Sequence, residues 1–345
     1  MTLTTAQAAD CMALLGNYQQ LLRRLEHLDK PVIALLGGHL SGHALGLALA
    51  CQRRYALADS RYSLPQVTLG IMPCSGEVAR IGRLAGYQAA MPLLLEGQPF
   101  GNAEALQLGM IHASAADSAG LTVLAEQHLA QGSPPRQPWD TPHYRVPGGA
   151  PDSRNNLRLL QMAPAMLRAR SGGHSPAAEA LLCALTEGLQ VDFANALLIE
   201  RRYFCQTVNA PAAKQLMRLA QQSTDLTSTA AQQLRGDLDN CYAATCQTLL
   251  EEGVSHALLK NAACGAGLPV PPALRLPTRA SQLDARQLCA GRIVERLLHA
   301  LASTAQQHVQ KGALSANEAD LISVRLFGFP AHLGGAVSFV LSKQE

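Results

Sequence analysis

The chain has 345 residues, of which 48% are hydrophobic and only 15% are charged, and its formal net charge is +3. This composition is typical of a helix-rich globular protein with a large core, and it excludes a disordered chain. The small net charge, without any long block of lysine or arginine, argues against nucleic-acid binding.

The nine cysteines are an odd number, and they show neither a CxxC pair nor the Cys/His spacing of a zinc site. Most lie among apolar residues, as Cys51 and Cys183 do. We therefore predict reduced core cysteines, no disulfide framework and no metal, in a cytoplasmic protein. The N-terminus lacks the features of a signal peptide, and no run approaches the roughly 18 apolar residues of a membrane span.

The first predicted elements are a helix and one strand–helix–strand unit. Leucines at helical spacing predict a helix over residues 5–29, which a lysine–proline pair ends. The continuous apolar run 32–36 predicts a strand covered on both faces. A helix over 43–54 and a second strand over 55–59 then complete a strand–glycine turn–helix–strand unit.

Two further helices are predicted over 76–97 and 102–111. Residues 131–154 are rich in proline and glycine, have no hydrophobic period, and are predicted to be a linker. Met162 and Met166 are assigned to the core of the part that follows. Six more helices are predicted there, over 176–190, 192–208, 210–222, 229–252, 282–311 and 316–324.

The helical half contains a weak repeat. LLEEG at 249–253 is followed by GLP at 267–269, and HVQKG at 308–312 is followed by GFP at 328–330. Each copy is a long helix, a glycine, a short segment and a glycine–apolar–proline corner. Two copies are too few for a solenoid, so we predict a duplicated helical domain.

The segment 37–51, GGHLSGHALGLALAC, is a strand end rich in glycine that opens a helix. Such a turn presents free backbone N–H groups at the positive end of the helix dipole, where they suit a phosphate or the oxygen of a polarised thioester. It has neither the GxGxxG nor the Gly-Lys-Ser/Thr arrangement of nucleotide loops. The same pattern also describes a tight turn that simply needs small residues.

The segments LDKPVIALLGGHLSGHALGLALAC, SLPQVTLGIMP and NAEALQLGMIHA resemble the crotonase superfamily, the enoyl-CoA hydratases and isomerases, over residues 28–113. Residues 177–220 are similar to the helical connector of multifunctional fatty-acid β-oxidation enzymes. Residues 293–339 are similar to the last helical repeat of the 3-hydroxyacyl-CoA dehydrogenase part of these enzymes.

This resemblance implies an α/β fold: a partial crotonase layer, which is a ClpP-like ββα spiral, followed by an all-helical extension like the C-terminal repeats of 3-hydroxyacyl-CoA dehydrogenase. It predicts a truncated crotonase-like domain at 1–130, a linker at 131–154, a helical connector at 155–228 and a duplicated helical domain at 229–345. The interval between residues 222 and 237 is too short for a dinucleotide-binding domain, so no NAD site is predicted.

The family's hydratases add water with two glutamates, and its isomerases need mainly the second. The resemblance places these two positions at Gly46 and Gln66. Neither residue can act as a general base, because glycine has no side chain and a glutamine amide stays neutral. One donor of the oxyanion hole would be the backbone N–H of His43, while the second donor and part of the CoA cradle belong to strands upstream of the matched segment.

Other residues are candidates around this turn. The predicted groove is lined by Gly42, Ala44, Pro65, Gln66 and Pro73. Glu77 is either a displaced acid or base, or an acidic residue that complements the dipole of its helix. His39 and His43 either form a nucleophile pair with Cys74 or Ser75, or cap and solvate the turn.

Three hypotheses follow from these observations. The first is a catalytically impaired pseudoenzyme that keeps an acyl-CoA-like groove or an assembly role. The second is an active hydratase or isomerase that uses Glu77 or a histidine, and the third is a misassigned start site or a decaying gene. We expect acyl-CoA as the ligand, no cofactor, and either a homo-oligomer or a partner of the β-oxidation type; a structural subunit without any ligand is the remaining alternative.

Overall fold

The computed structural model describes the backbone of residues 5–132, 136–272 and 289–341. The chain divides into two compact units, residues 1–167 with 176–210, and residues 168–175 with 211–345. The four-part division expected from the sequence stays a prediction. In the described part, no helix is long and apolar enough to cross a membrane.

The first unit contains two small sheets. Strands β1, β3 and β6 form one sheet with parallel pairing throughout. In the other sheet, β4 pairs with β2 in parallel and with β5 in antiparallel. The strands are β1 (Ile33–Leu36), β2 (His39–Ser41), β3 (Arg53–Leu57), β4 (Arg61–Ser63), β5 (Phe100–Gly101) and β6 (Ala113–Ala115).

Helices separate these strands. The helices from Thr5 to Val208 are α1 (Thr5–Glu26), α2 (His43–Ala50), α3 (Glu77–Glu96), α4 (Asn102–Gln107), α5 (Ser118–Ala130), α6 (Arg154–Ser171), α7 (Pro176–Gly188) and α8 (Phe193–Val208). The succession β1–β2–α2 is repeated as β3–β4–α3, and one strand of each pair joins each sheet. The expected α/β layer, a ββα spiral followed by helices, is confirmed.

Helix α2 ends at Ala50, so the prediction of a helix as far as residue 54 is wrong. Its last carbonyl groups are bound by buried side chains instead of by a further turn of helix. The guanidinium of Arg54 donates to the carbonyl of Cys51 at 2.5 Å and to that of Leu49 at 3.3 Å. The side-chain amide of Gln137 donates to the same two carbonyls at 3.1 and 3.2 Å. Because these side chains satisfy the carbonyl groups at the end of α2, the helix can end there and β3 can begin at Arg53.

The core of the first unit lies around α3, which packs against α2, α7 and α8. Ile81 and Leu181 are examples of its fully buried side chains. Five assignments to the core are wrong. The cysteines Cys183, Cys264 and Cys289 are exposed. Met162 and Met166 are 59% and 55% exposed, because α6 buries the neighbouring positions Ala163 and Leu167 instead.

The second unit is helical. Its helices are α9 (Pro211–Ala220), α10 (Thr229–Glu251), α11 (His256–Gly265), α12 (Ala290–Gln310), α13 (Ala316–Ile322) and α14 (Ala336–Leu341). Serines cap three of them: Ser228, Ser255 and Ser315 each accept a backbone N–H of the following helix. The part of the predicted helix 282–311 that precedes residue 289 lies outside the described residues.

The repeat of the sequence has a counterpart in this unit. Each copy is a long helix, a glycine, a short helix capped by serine and a glycine–apolar–proline corner. The two corners contact each other reciprocally. A Cβ atom on Gly267 would lie 3.6 Å from the Cβ of Pro330, and one on Gly328 would lie 3.2 Å from the Cγ of Pro269.

Candidate functional site

The glycine turn joins β2 to α2. Gly42 has a φ of 53°, a left-handed conformation that favours glycine, and its N–H donates to the carbonyl of Ser63 at 3.2 Å. This bond holds the turn against β4. The predicted oxyanion donor, the backbone N–H of His43, therefore lies in the first residue of α2, at the positive end of the helix dipole.

Gln66 lies beside this turn. It is the second residue of a short 3-10 helix over Pro65–Leu69, and it is half-buried. A Cβ atom on Gly42 would lie 2.8 Å from the Nε2 of Gln66. The Oε1 of Gln66 is buried and has no hydrogen-bond partner among the described residues. The side-chain amide of Gln66 therefore lies against Gly42, and its Oε1 can still accept a hydrogen bond.

Glu77 is the first residue of α3, and it is fully buried. Its Oε2 accepts the backbone N–H of Ser75 at 2.5 Å, while its Oε1 has no partner in the described part of the chain. A Cβ atom on Gly46 would lie 3.0 Å from this Oε1. The carboxyl group thus occupies the space into which a side chain at residue 46 would extend.

Burial raises the pKa of Glu77, because a carboxylate loses its hydration in the interior. Backbone N–H bonds and the neighbouring His43 oppose this shift but do not cancel it. Glu77 is therefore a carboxyl group that holds its proton more tightly than a carboxyl group in water does.

The two predicted glutamate positions thus lie together with Glu77. The N–H of Gly46 donates to the carbonyl of Gly42 at 3.1 Å, so these glycines lie one turn apart at the start of α2. The Gln66 amide covers the first of them and the Glu77 carboxyl covers the second. The remaining groove candidates differ in burial: Ala44 is exposed, Pro65 is half-buried and Pro73 is buried.

The two histidines of the turn bind two different serines. His43 Nδ1 hydrogen-bonds the hydroxyl of Ser75, and His39 Nε2 hydrogen-bonds that of Ser63 at 2.8 Å. Ser75 is fully buried, so a Ser/His pair exists but the serine is closed to solvent.

Cys74 is not an activated nucleophile. It is buried, and burial raises the pKa of its thiol, so the reactive thiolate is disfavoured. Glu77 and Glu200 add to this shift through their negative charge. Of the two residues suggested as partners of the histidines, only Ser75 binds one.

Sequence reasoning missed Glu200 of α8. Its carboxylate accepts the backbone N–H of Gly76 at 2.6 Å and that of Ala79 at 3.1 Å, at the start of α3. Burial, followed by the charge of Glu77, raises the pKa of Glu200 to about 8. No local motif could have indicated this residue, because 124 positions separate it from Gly76.

Arg80, in the first turn of α3, forms a buried ion pair with Glu26 at the end of α1. The Nε of Arg80 donates to Glu26 Oε1 at 2.8 Å, and both side chains are inaccessible to solvent. Within the described residues, no group of three or more histidine, cysteine or acidic side chains could hold a metal ion.

Comparison with known proteins shows what parts of this chain are similar to. Residues 3–134 match the profile of the family described as enoyl-CoA hydratase/isomerase. The chain is 27% identical over 261 residues to the fatty acid oxidation complex subunit alpha of Vibrio campbellii, covering 75% of this chain and 36% of that protein. It is 29% identical over 225 residues to the subunit of the same name from Vibrio parahaemolyticus, covering 65% of this chain and 31% of that protein.

Among solved structures, an enoyl-CoA hydratase from Mycobacterium avium subsp. paratuberculosis is 19% identical, with a TM-score of 0.40 over 60% of this chain and 71% of that one. This chain spans about a third of the length of the curated relatives that it matches. The predicted resemblance to the crotonase superfamily and to the multifunctional β-oxidation enzymes is confirmed by the family profile and by these relatives.

Proposed function

We propose that this protein binds an acyl-CoA thioester at its glycine turn and has lost the two-glutamate hydration reaction of its relatives. Gly46 and Gln66 carry this proposal, because both predicted glutamate positions lack a carboxyl group. Gln66 can hold a water molecule or a carbonyl through its amide, but it cannot accept a proton from either. A hydratase needs both functions.

The turn itself supports the binding part of the proposal. The backbone N–H of His43 lies at the start of α2, where the helix dipole favours negative charge on a ligand oxygen. Such a donor polarises a thioester carbonyl independently of the side chain that its residue carries. In this function the protein is a catalytically impaired pseudoenzyme with an acyl-CoA-type site.

One observation favours a second function, proton transfer by Glu77. This carboxyl group has an unpartnered Oε1 beside Gly46, and burial raises its pKa toward the range in which general acids and bases operate. A single carboxyl group is sufficient for isomerisation, since it removes a proton from one carbon of the acyl chain and returns it to another. The atoms balance without an added water molecule or a cofactor.

The experiment combines calorimetric titration with acyl-CoA thioesters and two assays: hydration of crotonyl-CoA and double-bond isomerisation of a 3-enoyl-CoA. Binding without either reaction is the result expected from the first function. Isomerisation that falls by about 100-fold or more in Glu77→Gln identifies the second. The matched control is Glu104→Gln in α4, an exposed carboxyl group that should change nothing.

Two results would contradict the proposal. Hydration of crotonyl-CoA at a rate that Glu77→Gln leaves unchanged would mean that another group performs the chemistry. If the protein had no affinity for acyl-CoA, it would instead be a structural subunit or bind a protein partner.

A further inference from the structure

Helix α1 carries a row of exposed residues on the side that faces away from the core. Asp10, Leu14, Asn17, Leu21 and Arg24, which we call the α1 stripe, are separated by four, three, four and three positions. This spacing places all five on one face of a helix. Leu14 and Leu21 are 70% and 56% exposed, whereas Leu22, next in the chain, is buried.

The stripe is complementary to itself when it is read in the opposite direction. If a second copy of α1 lies antiparallel with Asn17 at the two-fold axis, Leu14 of each copy meets Leu21 of the other. Asp10 of each copy then meets Arg24 of the other, at both ends of the contact. In the side chains described within one copy, neither Asp10 nor Arg24 forms an ion pair, so both charges are available for such pairing.

We infer that the α1 stripe is a homodimer interface, in which two copies of this chain pair α1 with α1 in antiparallel orientation. The two leucines of the stripe, Leu14 and Leu21, lie seven positions apart, which is the period of a seam between two packed helices. An isologous contact of this kind requires a surface that is its own complement, and the reversed order of acid and base supplies that. In the antiparallel arrangement the two helix dipoles also point in opposite directions, which is electrostatically favourable.

A groove on the surface of the same helix fits this partner. It has a volume of about 510 Å³ and is lined by Gln20, Arg23, Arg24, His27 and Leu28, in the C-terminal half of α1 and the two residues that follow it. In the antiparallel pair, the N-terminal half of α1 of the second copy lies over this groove, with its Asp10 near Arg24. The acidic end of the stripe thus meets Arg24, since the other arginine of the lining, Arg23, already pairs with Glu26 and Asp140.

The contact is small, because one helix pair buries less surface than the roughly 1,200–2,000 Å² of a standard stable interface. We therefore expect a reversible dimer whose population rises with protein concentration. This inference does not depend on the proposed ligand.

The experiment is sedimentation equilibrium of the full chain over a wide range of concentration. The wild type should fit a monomer–dimer equilibrium, and Leu21→Glu should raise its dissociation constant at least about tenfold. Leu157→Glu on α6 is the matched control, since it makes the same change at a leucine that is 48% exposed, and it should leave the dissociation constant unchanged.

Charge reversal tests the orientation. Asp10→Arg and Arg24→Asp should each weaken the dimer, because each places like charges together at both ends. The double variant restores opposite charges and should return the dissociation constant to within about threefold of the wild type. A monomeric wild type, an unchanged dimer in Leu21→Glu, or a double variant no tighter than the single ones would overturn the inference.

Discussion

The carboxyl group of Glu77 lies beside Gly46, in the space that a side chain at residue 46 would enter. An acidic group is therefore present where the resemblance to the crotonase superfamily places the first glutamate, but it comes from α3 instead of α2. The two residues are 31 positions apart in the chain, so only the packing of α2 against α3 brings them together. This relationship makes the side-chain volumes at the two positions interdependent.

The first prediction concerns this interdependence. Gly46→Glu should destabilise the protein by about 1–3 kcal/mol or more, because its Cβ would lie 2.8 Å from the Cβ of Ser75 and 3.0 Å from Glu77 Oε1. The same substitution should cost less in a Glu77→Gly background, where the carboxyl group no longer fills the space. Urea unfolding of the two single variants and the double variant gives the coupling, which we expect to be about 1–3 kcal/mol.

Leu47→Glu is the control for this cycle, since Leu47 lies on the exposed side of α2. It should change the free energy of unfolding by about 0.5 kcal/mol or less in either background. Strictly additive effects of Gly46→Glu and Glu77→Gly would show that the two side chains do not share one space.

The second prediction concerns the pH dependence of stability. Burial, with the charge of Glu77, raises the pKa of Glu200 to about 8, above its ordinary value near 4.5. The folded state therefore keeps a proton that the unfolded state releases, so the contribution of Glu200 to stability is complete below pH 4.5 and is lost as the pH rises to about 8. Between pH 5 and pH 8, the loss of unfolding free energy should be smaller in Glu200→Gln than in the wild type, by roughly 3 kcal/mol.

Urea unfolding at both pH values measures this difference. Glutamine can still accept one of the two N–H bonds at the start of α3, so the variant should fold. Glu126→Gln, at an exposed position of α5, should keep the pH dependence of the wild type. Equal pH dependence in Glu200→Gln and the wild type would mean that Glu200 is already ionised in the folded protein at pH 5.

The third prediction concerns Arg54, a fully buried cation that donates to main-chain carbonyls at the end of α2 and to the carbonyl of Met110 at 2.6 Å. Arg54→Met should lower the free energy of unfolding by about 3 kcal/mol, because it leaves buried carbonyl groups unpaired. Arg54→Lys should recover little of this loss, since one ammonium group cannot reach carbonyls that diverge from a planar fork. The measurement is chemical unfolding at neutral pH.

The neighbouring Arg53 offers a matched control for this experiment. It is half-buried, and its side chain donates to His128 Nε2 at 3.4 Å. Arg53→Met should therefore cost about 1 kcal/mol or less. A similar loss of stability in the two methionine variants would refute the role given to Arg54.

The fourth prediction compares the two glycine–proline corners of the second unit. Alanine at either glycine is strained, because both have a left-handed conformation, with φ of 82° at Gly267 and 94° at Gly328. At Gly267 the added Cβ meets Pro330 at an ordinary 3.6 Å, whereas at Gly328 it meets the ring of Pro269 at 3.2 Å. Gly328→Ala should therefore be less stable than Gly267→Ala by about 1 kcal/mol.

Thermal and urea unfolding of the two alanine variants test this order. The pair is its own control, because the substitution and the backbone conformation are the same. Equal losses, or a larger loss at Gly267, would show that the corners do not pack as described.

Local patterns determined most of the helices. The apolar spacing of α10 and α12 and the glycines that follow them were sufficient to predict two long helices and a repeated corner. A helix of that length buries one face whatever it packs against, so its apolar residues recur at helical spacing in the sequence. The strands β2, β4, β5 and β6 have only two or three residues each, too few to show a period, and they were missed.

The end of α2 shows where local patterns stop being sufficient. Residues 51–54 continue an apolar and basic helical pattern, but Arg54 and Gln137 bind the carbonyl groups there and β3 pairs with β1 instead. Gln137 lies in a segment predicted to be a linker, and nothing near it in the chain indicates its partner.

For the candidate site, the sequence by itself determined the residue types at the two predicted glutamate positions, Gly46 and Gln66, which are visible in a single line of residues. Only the tertiary structure decided what lies around the glycine turn: it places the Glu77 carboxyl against Gly46, the Gln66 amide against Gly42 and Glu200 at the start of α3. The physical reason is that residue types are local, whereas the pKa of a carboxyl group and the space around it depend on the burial and charge supplied by distant parts of the chain.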